Sequence, residues 1–167
     1  MPLSRGSPGL IDYLSHLQLL ECWMHDLGQL GVDSQRLTAE ADAIAADLHE
    51  CDRLLGAVAT AKRCAPAPAR MATRPTSSAF RWGARYVLEG SRLGAGFLHR
   101  KLAGPLAPHS LTYLSGAGWM RDGAGRDFLL QLQQQVGTPA EIADACDGAN
   151  AAFSLLLHRC HARTASP

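Results

Sequence analysis

A glycine-rich stretch from residue 86 to residue 96 carries the most chemical information in this sequence. Its pattern predicts a helix, although each glycine inside a helix costs about 1 kcal/mol relative to alanine. Steps of three and four bring five residues to one helical face: Gly83, Val87, Gly90, Gly94 and Phe97. Because the middle of this face has almost no side chains, another helix or a flat ligand must approach its backbone closely.

Other residue types offer little chemistry through their spacing. The sequence has no paired carboxylates, Gly-x-Ser-x-Gly element, phosphate-binding loop or dinucleotide-binding fingerprint. Its five cysteines are odd in number and lack Cys-x-x-Cys spacing, so we expect small, mostly buried side chains and neither a disulfide framework nor a zinc site. The group His158, Cys160 and His161 is explained by cations that complement the end of a terminal helix.

The elements that must position the glycine face are predicted to be helices, because apolar residues recur at three and four without strand-like alternation. We predict helices over about 8–28, 37–58, 77–102, 111–114 and 126–136, and a last one from 139 onward. The fold class is therefore all-α: a single-domain multi-helical bundle over residues 1–167. Prolines predict a surface loop at 65–76, and we expect a disordered tail at 163–167.

The start of the last helix has the clearest signal, a capping box of Thr138 and Glu141 with Pro139 at the first helical position. The buried stripe predicted for this helix comprises Ile142, Cys146, Ala149, Phe153, Leu156 and Leu157. Ser77 or Ser78 is expected to cap the glycine-bearing helix.

Composition limits the classes of partner. The formal net charge of +1 gives no global electrostatic reason to bind nucleic acid or a membrane surface. No apolar run approaches the roughly 20 residues of a membrane span, and the N-terminus lacks a signal-peptide layout. We expect a cytoplasmic protein that binds neither nucleic acid nor membrane.

The segment from Gly83 to Gly94 resembles the distal-helix motif of bacterial heme oxygenases, the biliverdin-forming enzymes often found beside bacteriophytochromes. Weaker likenesses extend over nearly the whole chain: Tyr13, Leu17, Asp47-Leu48, Gly118, Phe128, Leu132 and residues 149–153. The resemblance implies a heme oxygenase-like helical fold that cleaves heme oxidatively to biliverdin, carbon monoxide and ferrous iron. Heme would be both substrate and cofactor, and electrons would come from an external ferredoxin or reductase.

The motif also implies roles for individual residues. By position, the distal elements are Gly90, Ser91, Gly94 and Ala95, and the heme-binding residues are Arg85, Tyr86, Val87 and Phe97. Tyr86 is equally well explained as an aromatic anchor in the core. Cations for the heme propionates could come from Arg70, Arg74, Arg81, Arg85 and Arg92. The simpler interpretation is that they are exposed, with Arg85 and Arg92 paired to Glu89.

The sequence departs from the family in its N-terminal region, where the helix that carries the proximal histidine is not found. His16 or His25 could ligate iron instead, but a lone histidine at helical spacing is weak support. Three explanations remain open: a start upstream of this chain, a different iron ligand, or lost catalysis with binding of a tetrapyrrole or a protein partner. The missing helix should leave an apolar groove along the distal helix, which a second copy could fill as a homodimer.

Overall fold

The computed structural model describes residues 8–56, 77–116 and 124–164, and all regular elements in these ranges are helices. In chain order they are α1 (Leu10–Gln29), α2 (Ser34–Leu55), α3 (Ser78–Leu102), α4 (Thr112–Ser115), α5 (Ala124–Gln135) and α6 (Pro139–Thr164). The predicted all-α, multi-helical bundle is confirmed, and it is consistent with a heme oxygenase-like fold. None of the described helices combines the length and apolar character that crossing a membrane requires.

Capping side chains fix where the two longest helices begin. Ser77 is the N-cap of α3, and its hydroxyl accepts a hydrogen bond from Phe80 N at 3.0 Å. The predicted capping box starts α6, because Glu141 accepts from Thr138 N at 2.9 Å and Glu141 N donates to Thr138 Oγ1 at 3.3 Å. These hydrogen bonds satisfy amide groups that the first helical turn leaves without partners.

Some predicted boundaries shift. Helix α1 begins at Leu10 with Gly9 as its N-cap, and α2 begins at Ser34, three residues before the predicted start. Helix α6 extends through Thr164, into the segment predicted as a disordered tail; residues 165–167 lie outside the described ranges, as does the predicted loop 65–76.

The core lies where α1 meets α2 and α6. Tyr13, Leu17, Trp23 and Leu27 of α1 are fully buried. Two polar contacts tie α1 to α6 within this apolar packing. Trp23 Nε1 donates to the carbonyl of Ala152 at 2.9 Å. Arg159 forms a two-pronged ion pair with the buried Asp26, both bonds at 2.7 Å.

Helices α3 and α6 cross at two glycines. A Cβ atom at Gly83 would lie 1.8 Å from the carbonyl oxygen of Ala145, and one at Gly148 would lie 1.9 Å from that of Phe80. No side chain fits at such distances, so the two backbones touch directly. The helix-packing interpretation of the glycine pattern is therefore correct at Gly83.

The buried stripe predicted for α6 is only partly correct. Ala149 and Leu156 pack against the core as predicted. Ile142, Phe153 and Leu157 are each about half exposed, and the most buried residues of α6 are Gly148, Ala152, Leu155 and Arg159. Close contact with α3 requires small residues, which moves the buried face by about one residue around the helix.

The cysteine prediction also needs correction. Cys51 is a buried free thiol as expected, but Cys22 takes part in a disulfide and Cys146 is exposed.

Candidate functional site: the open face of α3

Beyond its crossing with α6, helix α3 presents a face that nothing in the described ranges covers. A Cβ atom added at Gly90 or at Gly94 would find no other atom within 4 Å. Three large apolar side chains on the same side of the helix are exposed: Tyr86 by 49%, Leu93 by 83% and Phe97 by 61%. We call these five residues the open face. Their arrangement, bare backbone bordered by apolar side chains, suits a flat apolar ligand.

The register of the α3–α6 crossing explains why the face is uncovered. Gly83 lies opposite Ala145 and Phe80 lies opposite Gly148, so the two helices run antiparallel. Counting one residue of α3 for each residue of α6, Pro139 comes level with Glu89. The first residue of α6 is therefore level with Glu89, and Gly90 and Gly94 lie beyond that point, where α6 no longer runs beside α3.

Three of the predicted site residues lie on other sides of α3. Val87 is buried in the core, and Ala95 is half-buried against it. The Ser91 hydroxyl donates to the carbonyl of Leu88 at 2.7 Å. Their predicted roles at a heme therefore remain predictions, whereas the open face itself brings Tyr86, Gly90, Gly94 and Phe97 together. Tyr86 is too exposed to be the core anchor that we considered.

Two arginines of α3, Arg85 and Arg92, have protein partners, and their side chains are only 21% and 13% exposed, so the expected solvent exposure is wrong for both. Arg85 lies over the rings of Trp82 and Phe128, at 4.9 and 5.3 Å, with its Nε 3.5 Å from Glu89. Arg92 Nη1 donates to Glu89 Oε2 at 2.6 Å. The ion pairs to Glu89 that we considered are thus present, and a role for Arg85 toward propionates remains a prediction.

The two candidate iron ligands lie on opposite sides of α1. His16 is buried, whereas the His25 side chain is 68% exposed, with its Nδ1 3.9 Å from Asp26 Oδ1. Nine residues in a helix correspond to two and a half turns, so the two histidines cannot address the same ligand. The choice between them stays a prediction.

A second group of side chains has ligand types suited to a metal, yet its hydrogen bonds define a structural junction. Donor atoms of Asp47, Glu50 and His109 lie within 4.8 Å of one another. The Asp47 carboxylate already accepts from Tyr13 OH at 2.6 Å and from the backbone amides of Thr112 and Tyr113 at 2.8 and 2.9 Å. Its oxygens are thus occupied in holding the start of α4 against α1 and α2.

The other members of this junction are engaged as well. His109 Nδ1 accepts from Leu111 N at 3.0 Å, which leaves the proton on Nε2, 3.2 Å from the carbonyl of Asp47. Glu50 accepts from both the backbone and the hydroxyl of Ser110, and these hydrogen bonds lower its pKa. Burial, together with the charge of Asp47, raises the pKa of the neighbouring Cys51 thiol to about 12, so this cysteine is not a nucleophile at neutral pH.

Glu40 is a residue of this region that the sequence analysis missed. It is 1% exposed and pairs with Arg92 of α3, whose Nε lies 2.7 Å from Glu40 Oε1. A signal was present in the sequence, because a buried stripe of α2 follows steps of three and four: Leu37, Glu40, Ile44, Asp47 and Cys51. A carboxylate on such a stripe indicates a buried partner.

The chain is similar to a heme oxygenase of Xanthomonas campestris pv. campestris (strain 8004). The two are 39% identical over 109 residues, which cover 61% of this chain and 62% of the relative. The chain thus spans about three-fifths of that heme oxygenase. No family model matches the chain, and no solved structure matches it either. The resemblance read from the glycine motif is supported by this partial relative.

Proposed function

We propose that this protein binds heme on the open face of α3 and cleaves it to biliverdin, carbon monoxide and ferrous iron. The observation that carries the proposal is the bare backbone at Gly90 and Gly94, which none of the described helices uses for packing. A mid-helix glycine without a packing role is a cost to stability, so another role must retain it. The partial similarity to a heme oxygenase points to the same ligand.

The residues of the open face fit a flat, largely apolar macrocycle. Tyr86, Leu93 and Phe97 provide apolar contact area, and the glycines allow the ring to approach the helix backbone. Exposed Arg100 and Lys101 at the end of α3 provide positive charge for the carboxylates of heme. Bound heme would supply the iron at which dioxygen is activated and the ring that is opened.

External electrons are part of this proposal, because the sequence carries no dinucleotide-binding fingerprint. A ferredoxin or a separate reductase is the proposed donor. Supply of biliverdin to a bacteriophytochrome is the pathway that the family resemblance suggests. The alternative is a protein that holds heme or another tetrapyrrole, or a protein partner, on the same face without turnover.

The test is an absorption time course of the purified protein with hemin, reductant and oxygen. Loss of the heme band with growth of the broad red absorption of biliverdin, together with release of carbon monoxide, is the expected result. A stable heme spectrum under reductant would favour the binding protein. Absence of hemin uptake would contradict the proposal.

Matched glycine variants make this test specific to the open face. Gly94→Leu places a side chain where the ring would lie, and it should abolish hemin uptake. Gly125→Leu is the control, because Gly125 is also helical with no atom within 4 Å of an added Cβ, but lies on α5. Both changes replace an exposed helical glycine and should raise helix stability by roughly 0.8 kcal/mol. Unfolding therefore cannot explain a loss of binding by the first variant alone.

A further inference from the structure

On the side of α3 opposite the open face, the middle of the helix is bound to α2. Between Gly90 and Gly94, Arg92 directs both Nε and Nη2 to one oxygen of Glu40 on α2. Its remaining nitrogen, Nη1, donates to Glu89 on its own helix. The Glu40 side chain is 2% exposed and that of Arg92 is 13% exposed, so this pair is shielded from solvent and ions.

A second support comes from α4. Tyr113 of α4 is buried, and this burial, together with the charge of Glu40, raises the pKa of its phenol. Its backbone amide donates to Asp47 of α2 at 2.9 Å, which fixes α4 and therefore the tyrosine. Helix α2 thus supports α3 directly through Glu40 and indirectly through α4.

These supports act where α3 is weakest. Gly90, Gly94 and Gly96 together cost this part of the helix roughly 3 kcal/mol relative to alanine. Within the described residues, no packing on the open face offsets that cost at Gly90 or Gly94. The contacts of Arg92 therefore add to the core packing of Val87 and Leu88 in holding this part of α3 with its glycines outward.

We propose that Glu40 is a positioning residue, which acts through Arg92 to keep Gly90 and Gly94 pointing outward at the open face. The expected effect of Glu40 on heme binding rests on the proposed function, whereas its effect on the orientation of α3 does not. Glu40 contacts the back of the helix and has no direct contact with a ligand on the front. Loss of its charge should loosen residues 88–98 locally rather than unfold the protein.

The chain contains a matched control. Asp26 and Arg159 form another buried carboxylate–arginine pair, with Asp26 1% exposed, but this pair joins α1 to α6. Glu40→Gln and Asp26→Asn both keep the size of the side chain and remove one buried charge. A general loss of stability from removing a buried carboxylate charge would be common to the two variants, although Arg92 keeps Glu89 as a partner.

The experiment is hydrogen exchange measured by peptide mass spectrometry on the intact chain. In Glu40→Gln, exchange in residues 88–98 should accelerate by about tenfold, because a neutral hydrogen bond replaces a charge-assisted one. Exchange in α1 should change far less. In Asp26→Asn the pattern should reverse, with faster exchange in α1 and α6 and protection retained in residues 88–98.

Equal acceleration along the whole chain, or unchanged exchange in residues 88–98, would overturn the proposal. If Glu40→Gln does not fold, Arg92→Lys tests the same contact from the other side. It keeps the positive charge but removes the paired hydrogen bonds of Nε and Nη2 to Glu40, and it should give the same local pattern with a smaller increase. Uniform exchange in that variant would equally contradict the assignment.

Hemin titration of the same variants distinguishes the two proposals. Glu40→Gln should weaken hemin affinity, whereas Asp26→Asn should leave it unchanged. If the parent protein does not take up hemin, the proposed function fails, and the exchange pattern still decides the role of Glu40.

Discussion

The glycines along one face of α3 are packed against another helix in the first half of α3 and open in the second half. At Gly83 the helix touches the backbone of α6 so closely that an added Cβ would lie 1.8 Å from a carbonyl oxygen. At Gly90 and Gly94 an added Cβ would meet nothing within 4 Å. A single sequence pattern therefore serves packing at one end of the helix and, as we propose, ligand binding at the other. Helical spacing alone does not separate these two uses of glycine.

Adding a methyl group at the crossing should produce the largest effect. Gly83→Ala should lower the free energy of unfolding by about 3 kcal/mol or more, because the clash is with the backbone and cannot be relieved by a rotamer change. Urea denaturation followed by circular dichroism measures the change. A loss below about 1 kcal/mol would mean that α3 and α6 separate easily, and it would remove the contrast between the two halves.

The same methyl group on the open face should raise the free energy of unfolding instead of lowering it. Gly90→Ala and Gly94→Ala should each raise the free energy of unfolding by about 1 kcal/mol, because alanine restricts the unfolded chain and favours the helix. The denaturation experiment is the same, with Gly125→Ala as the reference for an exposed helical glycine elsewhere. Destabilisation by either change on α3 would show that a neighbour covers the face.

Side chains of the open face should matter for binding and little for stability. Leu93→Gln and Phe97→Gln should change the free energy of unfolding by less than about 0.5 kcal/mol, since both residues are mostly exposed. Each should weaken hemin affinity by removing apolar contact area, as measured by titration. Leu129→Gln on α5 is a control, because Leu129 is 48% exposed but is not one of the residues of the open face. Equal weakening by the control would point to nonspecific adsorption of hemin.

Thiol labelling gives the smallest expected effect on stability and reports on the packed half. Cys146 is exposed and follows Ala145, the residue that touches Gly83, so its side chain points away from the crossing. Its modification at pH 8 should proceed readily and leave the free energy of unfolding within about 0.5 kcal/mol of the parent value.

Cys51 is the internal reference for this labelling. Its pKa of about 12 keeps the thiol protonated at pH 8, and the reactive thiolate becomes appreciable only as the pH rises toward that value. Peptide mass spectrometry should therefore find Cys51 unmodified until the chain unfolds. Rapid modification of Cys51 in the folded protein would mean that the junction around Asp47 opens.

Local signals were sufficient to predict the helices and, for α3 and α6, the residues at which they begin. The capping box at Thr138 and the cap at Ser77 depend on residues three positions apart, and both are present. The predicted buried face of α6 was only partly correct because apolar character does not reveal that close contact with Gly83 demands small residues at the interface. That demand comes from another helix, more than 50 residues away in the sequence.

The candidate site was predictable in part for the same reason. The motif drew attention to Gly90 and Gly94, but their exposure depends on where α6 begins relative to α3. Glu40 was not singled out, since its partner lies on α3 and the pairing is a long-range property. The roles assigned by position in the motif to Ser91, Val87 and Ala95 stay predictions.

The carboxylate of Asp47 also sets an order of assembly. Helix α4 has four residues, far fewer than an isolated helix needs to be stable in water, and it is preceded by Leu111 with a positive φ of 53°. Its first amides find their acceptor only on α2, so α4 cannot form until α2 is in place. Tyr113, whose side chain is buried in the core, consequently takes its place only after α2 has formed.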